Sequence, residues 1–220
     1  MPGTTVHEDI ELVIEHHGKG GGGEPPAGGD DDANRGGRSV PPSARRYYTG
    51  ISLGIVAILM FFMALTSAYI VRKGFGNDWF QVPLPRTLWL NTALLLASSL
   101  TVEMARRRLA RGDSRGFQGF WMATTALGVL FLAGQLVAWR QLVAAGAYLA
   151  SNPASSFFYT LTASHGVHLL GGIIALLFVA FRRFERANVT RSLAAEIASI
   201  YWHFMDGLWV FLLALLYLGG

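Results

Sequence analysis

The sequence predicts an all-α integral membrane protein, a bundle of five transmembrane helices that follows a disordered N-terminal tail. Apolar residues make up 52% of the 220-residue chain and charged residues only 15%, which is too little charge for a soluble protein of this size. Five apolar runs each approach the roughly 20 residues that an α-helix needs to cross about 30 Å of hydrocarbon. Helices are expected because they satisfy their backbone polar groups within one segment.

The N-terminal tail, residues 1–44, differs from the rest of the chain in composition. It holds eight acidic residues against three basic ones, together with runs of glycine and aspartate. Such a segment cannot bury enough apolar surface to offset the entropy of ordering. Its His7, His16 and His17 could chelate a divalent metal, but so sparse a tract favours a solvated tail. The membrane domain is predicted to cover residues 45–220.

The five predicted helices are separated by turn-forming or basic residues. In chain order they cover about 48–71, 88–105, 117–139, 157–181 and 197–218. Glycines and prolines fill the first break, and a basic cluster around Gly112 and Asp113 fills the second. Asn152 and Pro153 lie in the third break, and the fourth is the basic segment 182–191.

The basic residues predict the orientation of these helices. Thirteen lie in the flanks of one side and four in the flanks of the other. The thirteen are Arg35, Arg38, Arg45, Arg46, Arg106, Arg107, Arg108, Arg111, Arg115, Arg182, Arg183, Arg186 and Arg191, and the four are Arg72, Lys73, Arg86 and Arg140. Because cytoplasmic flanks carry the excess of Lys and Arg, the N-terminus is predicted inside and Gly220 outside.

The chain lacks the residues on which several classes of protein function depend. The basic side chains flank apolar runs, where they orient helices, so the net charge of +4 does not indicate nucleic-acid binding. The chain has no cysteine, which excludes thiolate metal sites, iron-sulfur clusters and a dithiolate copper centre. It also has no phosphate loop, no Rossmann fingerprint and no His-Glu-x-x-His motif, so nucleotide-driven pumping and metalloprotease chemistry lack their parts.

Ionisable residues inside membrane helices are candidate functional residues because burying them is costly. His165 and His168 share a face of the fourth helix, on which Ser164, Gly171 and Ala175 complete a small and polar seam predicted to pack against protein. His203 and Asp206 repeat the three-residue spacing on the fifth helix, and Glu196 precedes His203 by seven residues.

Three interpretations of the two histidine pairs remain open at this point. The favoured one is hydrogen bonding across the two helices, with Asp206 accepting from an imidazole N–H. A metal or haem site would instead use His165, His168, His203 and Asp206 as ligands. A proton relay through the same residues is the third.

Two further polar residues and the tryptophans complete the candidates. Glu103 lies within reach of Arg106 and Arg107, which predicts a salt bridge at the membrane interface. Gln135 shares a polar seam with Thr124, Gly128 and Phe131 and is predicted to bond a neighbouring helix. The tryptophans near the ends of the runs resemble an aromatic belt, and they are Trp79, Trp89, Trp121, Trp139 and Trp202.

Four sequence blocks, in this order, carry a family resemblance. They are LWLNT at 88–92 with SSLT at 98–101, LGVLFLAGQ at 127–135, FFYTLTASHGVHLLGG at 157–172 and YWHFMDGLW at 201–209. Together they resemble the haem-copper oxidase (cytochrome c oxidase) subunit III family in its five-helix bacterial type. The resemblance covers nearly all of residues 48–218, and the last two blocks are the most specific.

The resemblance implies a non-catalytic subunit of a proton-pumping terminal oxidase in a bacterial inner membrane. Such a subunit packs beside subunit I, stabilises it during turnover, and supports lipid and oxygen access and proton uptake. Haem and copper then belong to the partner subunits I and II, and this chain holds no cofactor. Further expected partners are bound phospholipid, cytochrome c or a larger respiratory supercomplex. His165, His168 and Gly171 match the family's His-x-x-His-x-x-Gly block and His203 and Asp206 its Trp-His-Phe-x-Asp block, as packing and hydrogen-bonding positions.

The sequence departs from the family in two ways. Seven-helix members have two additional helices before these five, which form a lipid-holding cleft, and here the polar tail stands in their place. The family's intramembrane glutamate aligns with Ile58, so a proton-antenna role for that glutamate does not transfer.

Three alternatives stay open beside the oxidase subunit, and one of them is an autonomous haem protein. The same fold could serve as an accessory subunit of a quinol oxidase or a nitric oxide reductase. From a different class, a small metal or proton transporter would use His165, His168, His203 and Asp206. An inverted repeat and broken helices would favour the transporter, and the sequence displays neither.

Overall fold

The computed structural model describes residues 42–75, 85–149, 152–182 and 190–218, and its regular structure there is entirely helical. The helices are α1 (Pro42–Phe75), α2 (Thr87–Ala110), α3 (Ser114–Ala144), α4 (Pro153–Phe181) and α5 (Arg191–Leu218). Each is long and apolar enough to cross a membrane. The predicted all-α fold with five membrane helices is therefore confirmed.

Each helix extends beyond its predicted apolar run at one end or both. Helix α1 starts at Pro42, inside the segment assigned to the tail, and α2 continues to Ala110. Helix α5 starts at Arg191, six residues before its apolar run. Hydropathy marks only the part that fits the hydrocarbon, whereas polar turns can continue a helix into the headgroup region. Disorder is predicted for residues 1–44, but residues 42–44 belong to α1, and residues 1–41 lie outside the described residues.

Helices α2 and α3 both end in a glycine cap. Gly112 and Gly146 have φ angles of 78° and 81°, which a side chain would strain. Gly112 N donates to Leu109 O, and the following Asp113 N donates to Arg108 O, both at 3.0 Å. The same pair of bonds recurs after Gly146, so a Schellman motif satisfies the last carbonyls of each helix.

Side-chain caps start the next two helices. The Asp113 side chain accepts from Gly116 N at 2.9 Å before α3, and Asn152 Oδ1 accepts from Ser155 N at 2.9 Å before α4. Pro153 follows Asn152 in the first turn of α4, where its missing N–H costs no helical bond. The turns that the sequence indicates at these places are thus built by caps on both sides.

We expect Asp113→Ala to lower the melting temperature at neutral pH by an amount that shrinks in acid. Hydrogen bonds from Gly116 N and from Arg108 hold the pKa of Asp113 below its ordinary value of 3.8. A carboxylate with a lowered folded pKa stabilises the fold above the unfolded pKa and loses that contribution as the pH falls through the folded pKa. Thermal unfolding in detergent from about pH 7 to about pH 3 spans this window.

The matched control is Asp113→Asn, which keeps an acceptor at the cap but cannot titrate. Its melting temperature should lie between those of the wild type and Asp113→Ala at neutral pH. A difference between the wild type and Asp113→Ala that persists unchanged in acid would contradict the capping role.

Helices α2, α3, α4 and α5 form a closed ring in which α2 and α4 each pack between α3 and α5. Helix α1 lies outside this ring against α4 and α5. Its buried side chains Phe62, Thr66 and Tyr69 lie three or four residues apart on one face. The other side of α1 exposes large apolar side chains, which suits contact with lipid or with a partner helix.

Candidate functional site

His165 is a packing residue in the centre of the ring. Its side chain on α4 is fully buried, 5.1 Å from the Trp209 ring of α5 and 5.9 Å from the Phe131 ring of α3. Neither ring nitrogen has a hydrogen-bond partner among the described residues. The imidazole therefore contributes as an aromatic ring between two others.

His168, three residues later, faces a different helix. Its ring lies 5.6 Å from Phe62 of α1, and its Nδ1 lies 2.7 Å from Ser164 O and donates to that carbonyl. Its backbone carbonyl accepts from Tyr201 OH of α5 at 2.9 Å. The two histidines of the predicted seam thus have separate neighbours, one inside the ring and one against α1.

Gly171 does not pack as the sequence predicts. Beyond the neighbouring turns of its own helix, no atom lies within 4 Å of the position that a Cβ would take there. Gly172 is the packed glycine instead, where a Cβ would lie 3.1 Å from Tyr201 Cε1 and 3.3 Å from Trp202 Cε3. One residue turns a helix by about 100°, which is enough to move Gly171 to the open side.

His203 and Asp206 face α2 rather than the histidines of α4. His203 Nδ1 lies 2.6 Å from Ser99 Oγ. The Asp206 carboxyl group, 4% exposed, also interacts with the Ser99 hydroxyl, although neither of its oxygens has a well-formed hydrogen bond. The expected bond from an imidazole of α4 to Asp206 is therefore wrong. The polar link between α4 and α5 is the bond from Tyr201 to the His168 carbonyl.

Glu103 forms the ion pairs that its position predicts. Its carboxylate accepts from Arg107 Nε at 2.9 Å and from Arg106 Nη1 at 3.3 Å. Arg106 also lies 4.0 Å from Glu196 of α5. These side chains are between one third and two thirds exposed, so each pair contributes about 0 to 1 kcal/mol. Their main consequence is to join the end of α2 to the start of α5.

Helices α1, α3 and α5 all start at this same end of the ring. Arg191 Nη2 donates to Gln118 Oε1 at 2.8 Å, joining the start of α5 to the start of α3. Tyr48, near the start of α1, interacts with Glu196. The described parts of the basic flanks that the sequence assigns to one membrane side therefore lie together at this end, which we call the basic end.

Gln135 contacts a neighbouring helix, as its seam predicts. Its Oε1 accepts from Asn91 Nδ2 of α2 at 3.5 Å, and Gly134 leaves space for the Asn91 side chain, since a Cβ there would lie 2.1 Å from Asn91 Oδ1. All four members of the α3 seam are buried. The seam faces the interior of the ring, and Gln135 joins it to α2.

Trp202, which the sequence analysis assigns to an aromatic belt, is the residue at which all four ring helices meet. The fully buried indole of this α5 residue donates from Nε1 to Ser98 Oγ of α2 at 2.9 Å. A Cβ at Gly128 of α3 would lie 2.6 Å from Trp202 Cη2, and a Cβ at Gly172 of α4 would lie 3.3 Å from Trp202 Cε3. Two glycines thus make room for one indole.

Two other indoles join neighbouring helices in the same way. Trp209 Nε1 donates to Thr92 Oγ1 of α2 at 3.0 Å, and Trp121 Nε1 of α3 donates to Leu176 O of α4 at 2.8 Å. The predicted aromatic belt is therefore wrong for Trp121 and Trp202, which are core residues. Glycines are a sequence signal for such core positions, because a glycine opposite a tryptophan allows close packing in membrane bundles.

Trp139 and Trp89 lie nearer the surface. Trp139 is half-buried and donates to Thr162 Oγ1 at 3.2 Å, and Trp89 is 59% exposed. Both positions suit a membrane interface, and the prediction for Trp79 lies outside the described residues.

The polar residues do not converge on one point where a metal could bind. His165 faces rings of α3 and α5, His168 faces α1, and His203 with Asp206 faces Ser99. In the part of the chain that the structure describes, no group of three or more His, Cys, Asp or Glu side chains is placed to hold a metal ion. The arrangement supports helix packing and proton transfer between hydroxyl, imidazole and carboxyl groups.

Comparison with known proteins identifies the bundle. The family model described as cytochrome c oxidase subunit III matches residues 36–220, which include all five helices. A Nocardia farcinica (strain IFM 10152) protein named "Probable cytochrome c oxidase subunit 3" is 35% identical over 164 residues, or 72% of this chain and 81% of that protein.

Two further relatives come from other bacterial groups. "Cytochrome c oxidase subunit 3" of Synechocystis sp. (strain ATCC 27184 / PCC 6803 / Kazusa) is 31% identical, covering 77% of this chain and 74% of that protein. The protein of the same name from Bacillus sp. (strain PS3) is 29% identical, covering 83% and 90%.

Proposed function

We propose, because this chain belongs to the cytochrome c oxidase subunit III family, that it stabilises the catalytic subunit of a respiratory haem-copper oxidase without carrying redox chemistry itself. The family match over all five helices carries this conclusion. It makes the chain a multi-pass membrane subunit of an enzyme complex. The non-catalytic role and the location in a bacterial inner membrane are proposals.

The contacts of the intramembrane histidines support a non-catalytic role. His165 is enclosed by aromatic rings, His168 donates to a backbone carbonyl, and His203 lies against a serine hydroxyl. Each imidazole is thus engaged in packing or hydrogen bonding inside this chain, where it stabilises the bundle. Haem and copper are proposed to be held by the partner subunits I and II.

The exposed apolar surface supports association in the membrane. Large apolar side chains are exposed along α1 and on the outer faces of α2, α3 and α4. Some of this surface is proposed to contact subunit I, and the rest to contact phospholipid. Helix association in a bilayer depends on close packing rather than on a hydrophobic driving force, so a rigid preformed bundle is a suitable stabilising partner.

Affinity purification of the tagged chain in mild detergent tests the proposal. Subunits I and II should co-purify, the complex should show haem bands in a reduced-minus-oxidised visible spectrum, and reduced cytochrome c should drive oxygen uptake. Uptake driven by quinol alone would place the chain in a quinol oxidase instead. A chain that purifies alone, colourless and with bound divalent metal would overturn the oxidase role.

The basic end is proposed to face the cytoplasm, with the N-terminus inside and the C-terminus outside. The asymmetry of the basic flanks supports this orientation, and so does their convergence at one end of the ring through Glu103, Glu196 and Gln118. The opposite end carries the turn after α3, which contains Gly146 and no basic side chain.

Single-cysteine labelling is expected to reach the two ends from opposite sides of the membrane. The chain has no natural cysteine, so Ser114→Cys introduces one thiol at the exposed first residue of α3, and Ala145→Cys introduces one in the exposed turn after α3. A membrane-impermeant maleimide should label Ala145→Cys in right-side-out vesicles and Ser114→Cys in inverted ones. The reverse pattern would contradict the orientation.

A further inference from the structure

We infer that Asp206, Ser99 and His203 form a proton-binding site inside the bundle that exchanges its proton with the basic end. Asp206 holds the proton as a neutral carboxylic acid, and Ser99 and His203 connect it to Glu103. All of these residues belong to this chain, so the site does not depend on which oxidase the chain joins.

The surroundings of Asp206 favour a neutral acid. The residue lies near the middle of α5, which runs from Arg191 to Leu218, and its side chain is 4% exposed. Within the described residues no ion pair or well-formed hydrogen bond involves its carboxyl group, which interacts with the Ser99 hydroxyl. An unpaired carboxylate at this depth is far costlier than the protonated acid. The acid would also use Ser99 as its hydrogen-bond partner.

Ser99 connects Asp206 to an imidazole. Its Oγ lies 2.6 Å from His203 Nδ1 and beside the Asp206 carboxyl group. A hydroxyl both donates and accepts, and each imidazole nitrogen can carry a proton. When His203 gains a proton at Nε2, it releases its Nδ1 proton to Ser99 Oγ, which passes its own proton to an Asp206 carboxylate oxygen. One proton enters and one is bound, and the reverse sequence releases it.

His203 also connects the site to the basic end. It is half-buried and interacts electrostatically with Glu103 and Arg106 of α2. Glu103 and Arg106 line an open cleft of about 180 Å³ together with Glu196 of α5. Glu103 lies one helical turn after Ser99, so the ionisable groups follow a continuous strip along α2 and α5.

Within the described residues, α1 gives the groove beside His203 an apolar wall. From α1, the side chains that line the groove beside His203 are the apolar Leu59, Phe62 and Met63, while Tyr48 of the same helix interacts with Glu196. The titratable group of α4 nearest to this groove, His168, packs against Phe62. The groups that bind and transfer the proton in this proposal thus all lie on α2 and α5.

Infrared spectroscopy of the full chain in lipid vesicles tests the site. At neutral pH the wild type should show a carboxylic acid C=O band that Asp206→Asn removes and Asp206→Glu retains at a shifted position. Absence of any band that depends on Asp206 would show an ionised carboxylate and overturn the proposal. The band reports on protonation whether or not the chain functions in an oxidase.

Deuterium exchange of that band tests the connection. After transfer to D₂O, Ser99→Ala and His203→Phe should slow the isotope shift by about tenfold or more, the factor that corresponds to the free energy of one hydrogen bond. Ser99→Thr keeps the hydroxyl and should exchange as the wild type does. The control Thr125→Val removes a buried hydroxyl that donates to Trp121 O in its own helix. Equal exchange rates in Ser99→Ala, His203→Phe and the control would overturn the relay.

Discussion

Trp202→Ala is expected to lower the free energy of unfolding by about 3 to 5 kcal/mol. The indole fills the space between Gly128 and Gly172, so its removal leaves a cavity that the backbones of α3 and α4 cannot close. The substitution also leaves the Ser98 hydroxyl without its donor, which adds to the cost. Denaturant unfolding in detergent micelles, followed by helical circular dichroism, measures the change.

Two further variants separate the parts of this effect. Trp202→Phe retains most of the packing but loses the N–H donor, and should cost about 1 to 2 kcal/mol. Trp89→Ala removes a tryptophan that is 59% exposed, and should cost about 1 kcal/mol or less. If Trp202→Ala were no more destabilising than Trp89→Ala, the four-helix junction would not be the centre of the fold.

Gly128→Leu is expected to destabilise the bundle by about 3 kcal/mol, through overpacking instead of a cavity. A Cβ alone at this position would lie 2.6 Å from Trp202 Cη2, and that ring is held by Ser98 and by Gly172. The α5 helix must therefore shift outward to admit the leucine. The same unfolding titration measures the loss.

Gly119 of α3 provides the matched control, because no atom lies within 4 Å of its Cβ position. Gly119→Ala should gain stability from helix propensity, by up to about 1 kcal/mol, whereas Gly128→Ala should lose stability despite the same gain. Combining Gly128→Ala with Trp202→Phe should reveal a coupling of about 0.5 to 3 kcal/mol. Additive effects in this cycle would contradict direct contact between the two positions.

Contacts within one helix could be predicted from the sequence, because fixed spacing determines which side chains meet. Glu103 pairs with Arg106 and Arg107 at the predicted three- and four-residue spacing. The apolar lengths likewise predicted five membrane helices, although the polar turns at Pro42 and Arg191 extended two of them. Hydropathy does not report such turns, because they lie outside the hydrocarbon.

The partner helix of a given face could not be predicted, because periodicity does not determine which faces meet. His165 and His168 share a helical face in sequence, yet one contacts Trp209 and the other contacts α1. Gly171 and Gly172 are adjacent, and only Gly172 packs against Trp202. A rotation of one residue position decides between these outcomes, and it is set by the side chains of the neighbouring helices.

The chain is proposed to stabilise a haem-copper oxidase without carrying out its redox chemistry. The most direct test of this role measures oxygen uptake over sustained turnover. It uses oxidase purified from a strain that lacks this chain. We predict that the depleted oxidase keeps its haem and nearly its full initial rate but loses activity faster than the complete complex. A haem-complete oxidase with no initial activity until the chain is restored would contradict the non-catalytic role. Equal rate and equal lifetime with and without the chain would contradict the stabilising role.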